Sequence, residues 1–118
     1  MTMRNKFAPH TNFEDLNGLL GKCIPVNLDM CMERKGHFLV GEWKRPNERI
    51  SKGQEIMLKA LAKRAKFTVL IISGDTDNGM IVHKFWKIKP DGTTELKGDS
   101  TTKFKDYLTD WYLMADFD

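Results

Sequence analysis

Cysteine is scarce: Cys23 and Cys31 are the only two among 118 residues. Neither belongs to a CxxC pair, which excludes a disulfide scaffold and a zinc ribbon, and both are expected to be reduced, small core residues. Long apolar runs are missing too. Nothing approaches the roughly 20 residues that cross a bilayer, and the opening MTMRNKFAPHTN has no apolar stretch of the kind that leads a secreted chain. The expectation is a cytoplasmic protein with no membrane partner. No repeat, low-complexity tract or linker-like break divides the chain, so residues 1–118 read as one domain, large enough for a single core.

Charge is nearly balanced, at +3 overall, which permits a nucleic-acid partner without requiring one. Its distribution is uneven. Lys44, Arg45, Arg49, Lys52, Lys59, Lys63, Arg64 and Lys66 cluster mid-chain, whereas the stretch from Asp106 carries four aspartates and no base. The basic segment is either a solvated helix face or a surface that meets phosphates.

The pattern predicts a short helix from Asn12, which can cap it, through Phe13, Glu14, Leu16, Leu19 and Leu20 to Gly21, weakened by Gly18 inside it. Two strands follow, near Ile24 to Glu33 and Phe38 to Arg45. Ser51 then opens a helix with Gln54 at the capping-box position and Met57, Leu58, Leu61, Ala62 and Ala65 along one face. FTVLIIS, residues 67–73, is apolar throughout, as in a strand covered on both faces. Asp77-Asn78-Gly79 turns into a strand at Met80 to Ile88, and Pro90-Asp91-Gly92 into another near Thr94 to Lys97. Asp99 or Ser100 caps a last helix, whose apolar side is expected to hold Phe104, Tyr107, Leu108, Trp111, Tyr112 and Met114. The strands that flank the middle helix are expected to be parallel. An α/β domain with a mixed central sheet follows.

Alternation along the second strand sets Val40, Glu42 and Lys44 on one face and Leu39, Gly41 and Trp43 on the other. If Lys35-Gly36 is a two-residue turn, paired positions sum to 71, which puts Asp29 opposite Glu42. Opposed carboxylates destabilise a sheet unless something compensates. A hard divalent cation, Mg²⁺ or Mn²⁺, would do so and would also accept phosphate oxygens. The alternative is a solvated Glu42–Lys44 pair at a strand end, with Asp29 facing water. Gln54 shares a helix face with Met57, Leu58 and Leu61, so it turns toward the sheet, near the end of the strand carrying Glu42 and Lys44. Arg45, Arg49 and Lys52 leave that same strand end, where α/β sheets open their ligand crevices, and are candidate phosphate contacts.

Asp29, then Glu42-x-Lys44, then Arg45-Pro46, then a helix opening with Gln54, resembles the PD-(D/E)XK nuclease superfamily, and most of all its VRR-NUC branch, whose compact phage and bacterial members are similar to Holliday-junction resolvases. The matching segment runs from about Cys23 to Ser73. The resemblance implies a restriction-endonuclease-like core and a metal-dependent DNA endonuclease that hydrolyses phosphodiester bonds, with branched or junction DNA as substrate and recombination or repair as context. It implies metal ligands at Asp29, Glu42, the Trp43 carbonyl and Glu14, a catalytic lysine at Lys44, and a glutamine, Gln54, that closes the site. A two-fold symmetric junction would call for a homodimer. The aspartate here follows Leu28 rather than proline, and no second domain for substrate selection is recognisable in the sequence, which leaves the substrate open. A catalytically silent domain of the same fold, holding nucleic acid or a partner protein, is the alternative.

His10, His37 and His83 are scattered and read as ordinary strand and turn positions. Asp75, Asp77 and Asn78 begin like a calcium loop, but no distal glutamate completes it. Trp86, Trp111 and Tyr112 could stack on bases; the expectation is that Trp111 closes the core and Trp86 packs on the sheet.

Overall fold

The structure, a computed structural model, describes residues 13–23 and 25–118. Five strands, β1 (Met30–Arg34), β2 (His37–Lys44), β3 (Phe67–Asp75), β4 (Ile81–Ile88) and β5 (Thr94–Gly98), form one sheet in chain order. Only β2 and β3 run parallel. The helix between them, α1 (Lys52–Ala62), and the final helix, α2 (Thr101–Phe117), complete a mixed α/β fold.

Each helix covers one face. Alternation along β2 and β3 sends Val40 and Val69 into a cluster with Leu58 and Ala62 of α1 and Ile88 of β4. The intervening Leu39, Leu70 and Ile72 join Val82, Phe85 and, from α2, Phe104, Trp111 and Ala115. The continuous apolar run of β3 is thus covered on both sides, as its composition predicts. A cavity in either layer would be costly, because Leu39, Leu58, Leu70, Ile72, Phe85 and Phe104 have no exposed surface.

The β1–β2 hairpin turns at Lys35 and Gly36, both with positive φ, the conformation of a two-residue primed turn. Its register sums to 71 from Arg34↔His37 to Met30↔Gly41, as the turn predicts. Ser51 caps α1, with a full capping box closed by Gln54, and Ser100 caps α2.

Four expectations are corrected. The opening helix shrinks to one 3₁₀ turn, Glu14–Leu16, followed by Asn17 in extended conformation; Gly18 and Gly21 then take positive φ, which ends any helix. Strand β1 begins at Met30 rather than near Ile24. Asn12, Ile24 and His10 lie outside the described residues. Cys23 and Cys31 are free but exposed, not core, because Cys23 precedes β1 and Cys31 belongs to the outermost strand. On α2, Tyr112 and Met114 are exposed. The buried stripe is Phe104, Tyr107, Leu108, Trp111 and Ala115, a strict i, i+3, i+4, i+7 track that leaves positions 112 and 114 off the sheet.

Candidate active site

Glu42 is 2% exposed, the one buried charged residue among those described. Its place follows from β2's alternation, which aims it with Val40 at the α1 side of the sheet. Ile71 is its partner on β3. On the other side β1's backbone pairing has stopped one residue short, at Met30, and Asp29 takes the next rung with its side chain: Asp29 Oδ2 accepts the Trp43 N–H at 2.9 Å. An N–H and C=O of one strand residue point the same way, so the Trp43 carbonyl leaves on that edge too.

The first turn of α1 closes the site from the opposite wall. Gln54 Nε2 donates to Glu42 Oε1 at 2.6 Å. Gln54 Oε1 accepts from Lys44 Nζ at 3.1 Å and from the Ser51 N–H at 3.3 Å, while the Gln54 N–H donates to Ser51 Oγ at 3.2 Å. One amide thus serves the capping box and the carboxylate–lysine pair together. Lys44 Nζ stands 3.5 Å from Glu42 Oε1. Glu42 Oε2, by contrast, is buried with no donor group serving it.

Burial pushes the Glu42 carboxyl up to about 7; the neighbouring Asp29 adds to the rise by its charge and by a side-chain hydrogen bond to the protonated form, and Lys44 opposes it. A buried carboxyl beside a second carboxylate, with one oxygen that no donor group serves, either keeps its proton or is ionised next to a cation. The donors within reach of one are hard oxygens: Glu42 Oε2, Asp29 and the Trp43 carbonyl.

These groups open on a cleft of about 630 Å³ lined by Asp29, Glu42, Trp43, Lys44, Arg45, Glu48, Gln54, Gly74, Asp75, Thr76 and Asp77. The fold therefore brings together Asp29, Glu42, Trp43, Lys44, Gln54 and Arg45. Glu14 is exposed on the 3₁₀ turn and does not line the cleft; among the described residues no group of three or more His, Cys, Asp or Glu side chains forms a ligand cluster. Arg45 is tied to Asp77 at 2.8 Å. Arg49 and Lys52 are exposed beside the strand end.

Asp75 and Asp77 were legible only as turn residues. Asp75 Oδ1 does cap the Asp77 N–H at 2.8 Å, yet both line the cleft, because the parallel pairing of β2 and β3 sets the two C-terminal strand ends side by side. The signal was the β2–α1–β3 order itself. A scan of family models and searches of the curated proteins and the solved structures return no match to this chain.

Proposed function

We infer that the chain is a metal-dependent DNA endonuclease of the PD-(D/E)XK type, hydrolysing phosphodiester bonds with Mg²⁺ or Mn²⁺, and that branched DNA is its substrate class. The observation that carries this reading is the buried Glu42 carboxyl, one oxygen of which no donor group serves, beside Asp29, in a cleft that also holds a lysine and a glutamine. Asp29, Glu42 and the Trp43 carbonyl would hold the cation. When bound, it supplies positive charge to a non-bridging phosphate oxygen and acidifies water.

The residues of the chain do the rest. Gln54 fixes the Glu42 carboxylate and orients the Lys44 ammonium. Lys44 then faces the phosphate as a donor that positions the attacking water or balances the developing negative charge. Asp29, anchored by the Trp43 N–H, keeps its carboxylate at the mouth of the cleft. Arg45 and Arg49 at the same strand end meet flanking phosphates.

One observation favours a second reading, a silent domain of the same fold that only holds nucleic acid: no third acidic side chain joins the pair among the described residues. Incubating the protein with branched, linear and single-stranded DNA, with and without Mn²⁺, separates the two. Cleavage that needs Mn²⁺ and disappears in Glu42→Gln supports the nuclease; salt-sensitive binding with no cleavage of any DNA leaves the silent domain. The homodimer belongs to this reading only through the symmetry of a junction, and sedimentation with and without junction DNA tests it.

A further inference from the structure

A second cleft, of about 810 Å³, adjoins the first and shares Lys44, Arg45 and Glu48 with it. Its apolar surface includes Ile71, Trp86 and Ile88, and its basic rim includes Arg49 and Lys59. Trp86 is the informative residue. Its indole is half-buried yet belongs to neither core cluster, and among the described residues it stacks on no other ring. A large aromatic left out of both cores on a sheet of this size is available to a ligand.

Its position is fixed by register. Glu42 pairs with Ile71, and Ile71 pairs with Trp86, so the three lie in one row across one face of the sheet. Two strand spacings separate Glu42 from Trp86, about 10 Å, within reach of the nucleotide next to a phosphate held at Glu42. The rim completes the match. Lys59 is paired with Glu55 and Arg45 with Asp77, but Arg49 makes no hydrogen bond or ion pair among the described residues, leaving an uncommitted guanidinium in the lining of the cleft that also holds the indole.

Resting on the nuclease reading above, we propose that this cleft takes an unpaired base of the DNA strand, stacked on Trp86 with its phosphate against Arg49, so that the substrate must present a single-stranded region next to the bond that is cut. Duplex base pairs are stacked on one another and offer no free face to a recessed indole; an unpaired base does.

The test measures binding of the full chain, without divalent cation, to a fluorescein-labelled oligothymidylate and to a blunt duplex of the same length by fluorescence anisotropy. The expected result is that Trp86→Ala weakens single-strand binding about 5- to 150-fold, the usual range for loss of one stacked base, that Trp86→Phe restores most of it, and that duplex binding is unchanged. Arg49→Ala, an exposed change that does not burden folding, is expected to weaken single-strand binding and to lower its log–log salt slope by about 0.7. Undiminished single-strand binding in Arg49→Ala, or in a folded Trp86→Ala, overturns the proposal. So does competition by thymidine monophosphate as effective, mole for mole, as by the oligonucleotide, because the cleft would then take free nucleotides. Cleavage in Mn²⁺ is scored separately. Trp86-dependent strand binding with no cleavage of any DNA supports this cleft and sinks the nuclease reading; cleavage that persists beside unchanged strand binding in Trp86→Ala does the reverse.

Discussion

Gln54 donates to Glu42 Oε1 at 2.6 Å, and this bond joins the first turn of α1 to the last turn-facing residues of β2. Because Gln54 is also the third residue of the capping box, the geometry of the acidic site is tied to the point at which the helix starts. A shift of that start by one residue would swing Gln54 away from the sheet, since neighbouring helical positions face different directions.

Ser51→Ala and Gln54→Ala should therefore separate. Ser51→Ala removes the cap and is expected to cost about 1 kcal/mol of stability, while Gln54 remains to hold Glu42 and Lys44, so activity per folded molecule changes little. Gln54→Ala removes the same capping box and also leaves the buried Glu42 Oε1 without its amide donor, which costs about 1–3 kcal/mol. Its cleavage rate should fall at saturating metal even at a temperature where both variants are fully folded. Urea denaturation alongside initial cleavage rates decides; equal losses of rate in the two variants would reduce Gln54 to a cap.

The pH dependence of stability has a definite sign. Glu42 is raised from 4.5 to about 7, so between these values the folded protein holds a proton that the unfolded chain has released. Stability contributed by this group is then present below about 4.5 and falls as pH rises to about 7, at about 1.4 kcal/mol per unit of raised pKa. The exposed carboxylates whose values are lowered, Asp116 and Asp118 among them, titrate below that window. Glu42→Gln should flatten the profile and exceed the wild type in thermal stability at pH 8. A Glu42→Gln profile parallel to the wild type would show that Glu42 titrates normally.

Added Mn²⁺ should raise the melting temperature more at pH 8 than at pH 5.5, because both carboxylates must be ionised to hold it. Asp29→Asn and Glu42→Gln should each abolish the rise. Lys44→Met is expected to preserve it but to move its onset to higher pH, since the lysine charge is what holds the Glu42 value down. Differential scanning fluorimetry across pH and metal concentration measures all of these, and a shift of equal size in Glu42→Gln would place any bound ion elsewhere.

The hairpin register, the capping box and the two-sided burial of β3 were all legible in the sequence, because each rests on a local period or spacing: the sum of 71 about Lys35-Gly36, Ser51 with Gln54, and the unbroken run from Phe67 to Ser73. The grouping of Glu42, Lys44 and Gln54 followed from these, since strand and helix periods point all three at one place. What local rules did not carry is lateral placement. Where α1 lies across the sheet decides that Leu58 and Ala62 meet Val40 and Val69 while Trp86 is left at a cleft, and no period in β4 encodes it. The opening helix failed for a different reason: its apolar spacing is helical, but Leu16, Leu19 and Leu20 join no core cluster among the described residues and are exposed, so two glycines with positive φ prevail.

Gly74 gives a last prediction, on the wall shared by β3, β4 and the cleft. The pairing of β3 with β4 shifts register between Ser73 and Gly74, and the strands come so close there that a Cβ on residue 74 would lie 2.2 Å from the Ile81 carbonyl oxygen and 3.1 Å from the Trp43 ring. A backbone atom cannot rotate out of the way, so Gly74→Ala must push β4 off β3 or push Trp43 off its place. Either movement is expected to destabilise the fold by about 1–3 kcal/mol. The second would also drag the Trp43 N–H from Asp29, so the metal-induced rise in melting temperature should shrink together with stability. Gly53→Ala is the control: nothing lies within 4 Å of a Cβ at that position, and alanine favours the helix by up to about 1 kcal/mol, so this variant should be at least as stable as the wild type and respond fully to Mn²⁺. A Gly74→Ala protein with unchanged melting temperature and metal response would mean that β3 and β4 do not approach each other so closely at the bulge.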